Sequence, residues 1–195
     1  MGTKFSTRVW VSVVGIASIF FGSKGYADTV ISVADFGLKP DTRENAVAYV
    51  QKAIEACRGK EPVTLVFPEG RYDFWPQYAH EKNYYETNTY DVFPKRLAML
   101  FEGLHNITVD GNGSQFVMHD RIQPITVENC DGVTLKNFSI DWDIPLTAQA
   151  RVTKVGSDFF EIEINVLESP YIIEDGKLVF VGEGWKSALG SMIEF

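Results

Sequence analysis

The stretch NFSIDWD at residues 137–143 closes an alternating apolar run with two carboxylates, Asp141 and Asp143, two positions apart. On a strand such residues share a face and lie about 6.6 Å apart along the chain. That spacing falls in the roughly 6.5 to 9.5 Å range at which one carboxylic acid protonates a glycosidic oxygen while a second activates water. The pair is therefore a candidate for sugar hydrolysis with inversion. A solvated strand end, or a turn cap at Asp143 ahead of Ile144 and Pro145, accounts for the same two acids, since D-x-D is a common pattern.

A second group of residues is suited to holding a sugar. The segment FWPQYAHEKNYYETNTYDVFPKR, residues 74–96, places Trp75, Tyr84 and Tyr85 among polar neighbours. Aromatic faces against C–H-rich ring faces are a common carbohydrate platform, and long loops are where such sites sit. The same rings can also pack over the chain's own surface. Arg71 and Arg96 flank the segment and can clamp a hydroxyl or carboxylate, or pair with local acids. Trp142, between the two acids, is a further substrate-binding candidate. Other chemistries fit worse. His80, His105 and His119 are dispersed and lack the close spacing of a zinc site, and no P-loop, GxSxG or dinucleotide fingerprint occurs. DGNG at 110–113 lacks the remaining ligands of a calcium loop and reads as a β-turn. No metal or organic cofactor is expected.

These residues need a scaffold, and the spacing of apolar positions supplies one. TVISVADFG (29–37) is a short β-rich run. Val47, Val50, Ile54 and Cys57 fall on one helical face, with Asp41 or Thr42 as N-cap and Gly59 as terminator. VTLVFPEGRYDFW (63–75) reads as a strand, a Pro-Glu-Gly turn and a second, aromatic strand. Laying FEGLHNITVDG (101–111) over VENCDGVTLKN (127–137) aligns Phe101 with Val127, Ile107 with Val133 and Val109 with Leu135, each 26 residues apart. Self-similarity at that period, in β-rich units with Asn and Gly at the bends, marks stacked coils. The expected class is all-β, a right-handed parallel β-helix with an N-terminal capping helix. Val133, Leu135, Phe138, Ile140 and Trp142 then point inward, Ser139, Asp141 and Asp143 outward, and Asn106, Asn112 and Asn137 hydrogen-bond at bends.

From Ala148 the period changes. AQARVTKV, a Gly-Ser-Asp turn and FFEIEINV form an antiparallel hairpin pattern, followed by the strand KLVFVG. This is expected to begin a small antiparallel β-domain inserted into the stack. A stacked fold needs about three repeats and a polar cap, so the chain reads as truncated. The expected division is residues 1–27, 28–147 and 148–195.

Lys4 and Arg8 precede the apolar run 9–21, and small residues at 25 and 27 suit cleavage before Asp28, so residues 1–27 read as a signal peptide directing export rather than a membrane span. Removing Lys4, Arg8 and Lys24 deepens the formal charge from -8 to -11. Such a surface repels nucleic-acid phosphates, anionic membranes and acidic polysaccharides, and favours a neutral or cationic partner. Cys57 and Cys130 are expected to be buried thiols, because the chain is long enough for a core without staples.

The order ISVADFG, helix, VTLVFPEGRYDFW, NITVDGNGSQFVMH and NFSIDWDIPLTAQARV resembles the pectate-lyase-like β-helix superfamily. FPEGRYDFWPQYAHEKNYYE, PKRLAMLFEGLHNITVDG and NFSIDWDIPLTAQA narrow the resemblance to glycoside hydrolase family 110. That resemblance implies a secreted bacterial, exo-acting, inverting α-1,3-galactosidase. Its partner would be a galactose-terminated oligosaccharide or glycoconjugate, such as the blood group B determinant. It also implies that the antiparallel segment after Ala148 begins an inserted β-barrel domain and that the catalytic aspartates lie on later coils, so Asp141 and Asp143 would serve the sugar-facing surface or support it, and this chain alone would be inactive.

Overall fold

The computed structural model describes residues 29–84 and 94–188. The expected signal peptide, Tyr85 and the C-terminal residues 189–195 lie outside that range. The described chain is mostly β, with one α-helix.

Strand β1 (Thr29–Ser32) runs into a single 3₁₀ turn, Val33–Phe36. The Ala-Asp-Phe part of the opening run is thus a turn rather than a strand, because Ser32 accepts the Ala34 N–H while Asp35 accepts the Ser32 N–H. Helix α1 (Val47–Cys57) buries Val47, Val50, Ala53, Ile54 and Cys57, the expected face, against β1, β2 (Val63–Val66) and β5 (Lys95–Glu102). Its cap differs from expectation. Asp41 and Thr42 sit upstream in a loop, where Asp41 accepts the backbone N–H of Arg71. The side chain of Asn45 instead accepts the Val47 N–H at the helix start. Gly59, at φ +71°, ends the helix as expected. Cys57 and Cys130 are free thiols. Cys57 is buried and its thiol is pushed up to about 11 by burial, while Cys130 is half-buried.

The main sheet is parallel throughout. β2 and β3 (Arg71–Phe74) lie end to end beside the long strand β6 (His105–Met118), β1 extends the sheet beyond β2, and β8 (Asp131–Trp142) pairs with the other edge of β6. A second sheet joins β4 (His80–Lys82), antiparallel to β5, with β7 (Gln123–Glu128), parallel to β5. The 26-residue repeat is realised as strand register. Ile107 pairs with Val133 and Val109 with Leu135 in one sheet, and Phe101 with Val127 in the other. Stacking in register forces the same polar and apolar positions to recur, which is why the period shows in the sequence.

Packing between the sheets is aromatic at its centre. Phe67, Tyr72, Phe74 and Phe116 are buried, and Phe138 stacks on Phe116 with centroids 4.8 Å apart. Val133, Phe138 and Trp142 pack against this core. Leu135 and Ile140 share their face yet remain 39% and 38% exposed, because no described strand covers the outer edge of β8.

The DGNG stretch, read from sequence as a β-turn, does not separate two strands. It is a bend inside β6, with the register against β8 shifting between Asp110 and Ser114. Asn112 and Asn137 take φ of 49° and 60° there, a conformation that asparagine tolerates better than most residues. A Cβ on Gly111 would stand 2.5 Å from the Cβ of Phe138, so only glycine lets the two strands approach. Asp110 staples the bend, accepting from the Asn112 N–H and Asn137 Nδ2 and pairing with Lys136 Nζ at 3.2 Å. The Asn112 backbone bond, then Asn137 and Lys136, hold its carboxyl below the usual range. Its contribution is therefore full above the unfolded carboxylate value of about 3.9 and fades as pH falls through the lower folded value. Asp110→Asn is expected to cost about 1 kcal/mol at neutral pH, with the two urea midpoints converging below about pH 4. Parallel curves across that range would count against the staple.

The last third is antiparallel. β9 (Arg151–Val155) pairs with β10 (Phe160–Glu163), and β12 (Lys177–Gly182) lies between β11 (Tyr171–Glu174) and β13 (Trp185–Ala188).

Candidate functional site

The register of the main sheet builds a site at the C-terminal rim of β3, β6 and β8. The last paired rung is Phe74, Met118 and Trp142. One step further, the His119 N–H donates to the Phe74 carbonyl at 2.9 Å and the Asp143 N–H to the Met118 carbonyl at 3.1 Å. Trp75, His119 and Asp143 therefore form the next rung. Two positions back, on the same face, lie Asp73, Val117 and Asp141.

Asp73 is the anchor. Its side chain is fully buried, taking Arg71 Nη2 at 2.6 Å and Arg71 Nε at 3.0 Å on one side and His119 Nε2 at 2.9 Å on the other. Burial alone would raise this carboxyl. Hydrogen bonds from Arg71 and His119, together with the Arg71 charge, outweigh burial and hold it below the usual range. Arg71 continues outward to Asp143 Oδ1 at 2.7 Å, and the solvent-facing Arg43 reaches the same oxygen at 3.6 Å. His119 is buried beneath Trp75, the rings stacked with centroids 3.8 Å apart and planes 9° from parallel.

The turn between β12 and β13 comes down on this rim. Glu183 faces His119 Nδ1 at 2.8 Å and accepts the Asp120 N–H at 3.2 Å. A Cβ on Gly184 would stand 2.5 Å from Asp120 Oδ2, and the residue sits at φ +79°, so glycine alone permits the approach. Trp142 donates its indole N–H to the Asp120 carbonyl at 3.2 Å from the inner side of the sheet.

Of the residues singled out from sequence, Arg71, Trp75, Asp143 and Trp142 converge on this rim. Asp141 is exposed, and its carboxylate accepts the N–H of its neighbour Trp142. Arg96 pairs with Glu81. Tyr84 lies elsewhere, its hydroxyl on Glu128, which shares Lys82 with Glu102. Tyr84 therefore does not join Trp75 in one platform, because it follows β4 along the second sheet. Asp73, His119 and Glu183 were not singled out. Arg71-x-Asp73 carried a readable signal, an opposite-charge pair on one strand face. His119 and Glu183 are brought in only by register and by a turn 64 residues away. His119 Nδ1 or Nε2, an Asp143 oxygen and a Glu183 oxygen lie within 4.8 Å of one another, a grouping that can hold a cation.

Comparison with known proteins finds relatives over most of the sequence. The chain is 60% identical over 169 residues to alpha-1,3-galactosidase B of Bacteroides thetaiotaomicron, a match covering 87% of this chain and 28% of the relative. The chain belongs to glycoside hydrolase family 110. Alpha-1,3-galactosidase A of Shewanella woodyi is 36% identical over 85% of this chain and 27% of its own length. Alpha-1,3-galactosidase B of Phocaeicola vulgatus is 36% identical over 96% of this chain and 30% of its own length. A family model described as GLAA-B beta-barrel domain I matches residues 148–195 of this family 110 chain. The chain spans less than a third of the length of these relatives.

Proposed function

We propose that this chain forms the N-terminal portion of an exported, exo-acting α-1,3-galactosidase that releases terminal α-galactose from glycans with inversion. The observation that carries this reading is the 60% identity to alpha-1,3-galactosidase B, maintained over 87% of the chain. The stacked parallel strands are read as the first turns of a right-handed parallel β-helix spanning 28–147, with 148–195 beginning an inserted barrel. Parallel pairing at a 26-residue offset supports the first part, and the antiparallel hairpins support the second. Residues 1–27 are read as the export signal.

In this reading the rim cluster is supporting structure. Arg71 already spends its guanidinium on Asp73 and Asp143, and the Asp141 carboxylate accepts the N–H of its neighbour Trp142. The proton transfers then belong to carboxylates in a part of the galactosidase that this chain does not span, while Trp75 and the exposed carboxylate of Asp141 line the sugar side.

The test is a segment exchange. The matching 169 residues of the Bacteroides thetaiotaomicron galactosidase are replaced by those of this chain, and galactose release from an α-1,3-linked disaccharide is followed by proton NMR. The chimera is expected to release galactose, appearing first as the β-anomer, and the 195-residue chain alone none. A folded chimera without galactose release would overturn the reading.

A further inference from the structure

The contact between His119 and Glu183 poses a problem of proton count. Asp73 is buried and anchored by Arg71, so its carboxylate takes a proton-bearing Nε2 from His119. In the neutral ring the other nitrogen, Nδ1, then carries only a lone pair. Yet Nδ1 faces Glu183 Oε1 at 2.8 Å and Oε2 at 3.0 Å, and a carboxylate has nothing to donate. Two acceptors face each other, with a third, Asp143, close by.

A cation between them resolves this. A histidine that gives one ring N–H to a carboxylate and turns the other nitrogen toward further anionic ligands is the usual arrangement of a metal-bound imidazole. The charge agrees. The carboxylates of Asp73, Asp143 and Glu183 face two guanidiniums, those of Arg71 and the solvent-facing Arg43, leaving one negative charge beside the imidazole. Asp143 spends Oδ1 on Arg71 and Arg43, and no hydrogen bond among the described residues uses Oδ2.

We propose that His119 Nδ1, Glu183 and Asp143 Oδ2 form a divalent-cation site of zinc type, which fastens the β12–β13 turn to the rim of the parallel stack. One imidazole and two carboxylates suit zinc with bond lengths of about 2.0 to 2.2 Å and leave a fourth position for water. The His119 to Glu183 separation opens slightly to admit the ion, and Asp143 swings in from its exposed side. Asp73 acts as the positioning residue that fixes the tautomer, and Trp75 covers the ring.

The experiment is zinc titration of the tag-free, chelator-treated chain by isothermal calorimetry, with circular dichroism to check the fold. One zinc per chain is expected, with a rise in melting temperature. Glu183→Gln and Asp143→Asn, both at partly exposed positions, are expected to weaken zinc affinity at least tenfold, and Asp73→Asn by about 10- to 100-fold through misorientation of His119. A protonated imidazole between the two carboxylates would make the same contacts without a metal. Absence of stoichiometric zinc binding, or unchanged affinity in both Glu183→Gln and Asp143→Asn, would overturn the proposal in favour of that imidazolium.

Discussion

Phe116→Ala is expected to destabilise the chain by about 3 to 5 kcal/mol, read as a lowered urea midpoint with little change in slope. Phe116 lies on the central strand of the main sheet, completely buried. Four rings surround it, with centroids at 4.7 Å for Phe67, 4.8 Å for Phe138, 5.7 Å for Phe74 and 6.2 Å for Tyr72. Removing it deletes the transfer free energy of a large ring and leaves a cavity whose walls belong to three strands held by backbone hydrogen bonds. Those walls have little room to collapse, which places the cost high in the range. Phe116→Leu keeps most of the volume and should cost under about 1.5 kcal/mol. Phe138→Ala provides the internal comparison. Phe138 is half-buried on the outer strand, so it should cost clearly less than Phe116→Ala. Equal losses at the two positions would show that the aromatic stack does not centre on β6.

That comparison depends on which strand is inner and which is outer, and sequence reports only part of that. The period of 26 residues was readable because a parallel strand repeats the demands of the strand below it, so Ile107 over Val133 and Phe101 over Val127 leave matching letters. The helix face was readable for a similar local reason, four apolar residues at helical spacing. Burial of Leu135 and Ile140 was not, since alternation fixes the face a side chain points to and says nothing about whether another strand covers it. The N-cap escaped too. Asp41 and Thr42 are good capping types, yet Asp41 is drawn away by the Arg71 backbone 30 residues on, leaving the task to Asn45.

The rim cluster shows the same limit at the level of chemistry. Once strand pairing is known, Trp75, His119 and Asp143 follow by counting one residue past Phe74, Met118 and Trp142. Without it, His119 is one of three scattered histidines. The offset between β6 and β8 also drops from 26 to 24 residues after the bend at Asp110–Ser114, so a strict 26-residue overlay would set His119 against Pro145. A bend that absorbs residues unequally on two strands decides which side chains meet, and it is encoded in Asn and Gly conformations rather than in apolar pattern.

Asp73→Ala should cost about 3 kcal/mol, the lower end of what removal of one partner from a buried ion pair produces. The substitution strips the acceptor from two donors of unequal exposure. Arg71 is 21% exposed and keeps Asp143, so it recovers part of the loss through water and its remaining partner. His119 is 3% exposed and is left with a buried Nε2–H facing a void. The larger share of the penalty therefore comes from the histidine, and a double-mutant cycle with His119→Phe separates the two. If that account holds, Asp73→Ala should cost markedly less in the His119→Phe background, where no buried donor is orphaned and ring stacking on Trp75 persists. Asp73→Asn tests the charge at constant shape. Its single oxygen serves His119 or Arg71 but not both, and its amide presents donors to donors, so it should fall between the parent and the alanine variant. A cycle showing no coupling between positions 73 and 119 would mean that the Asp73 carboxylate is held by Arg71 alone, and that the histidine contributes packing rather than a hydrogen bond.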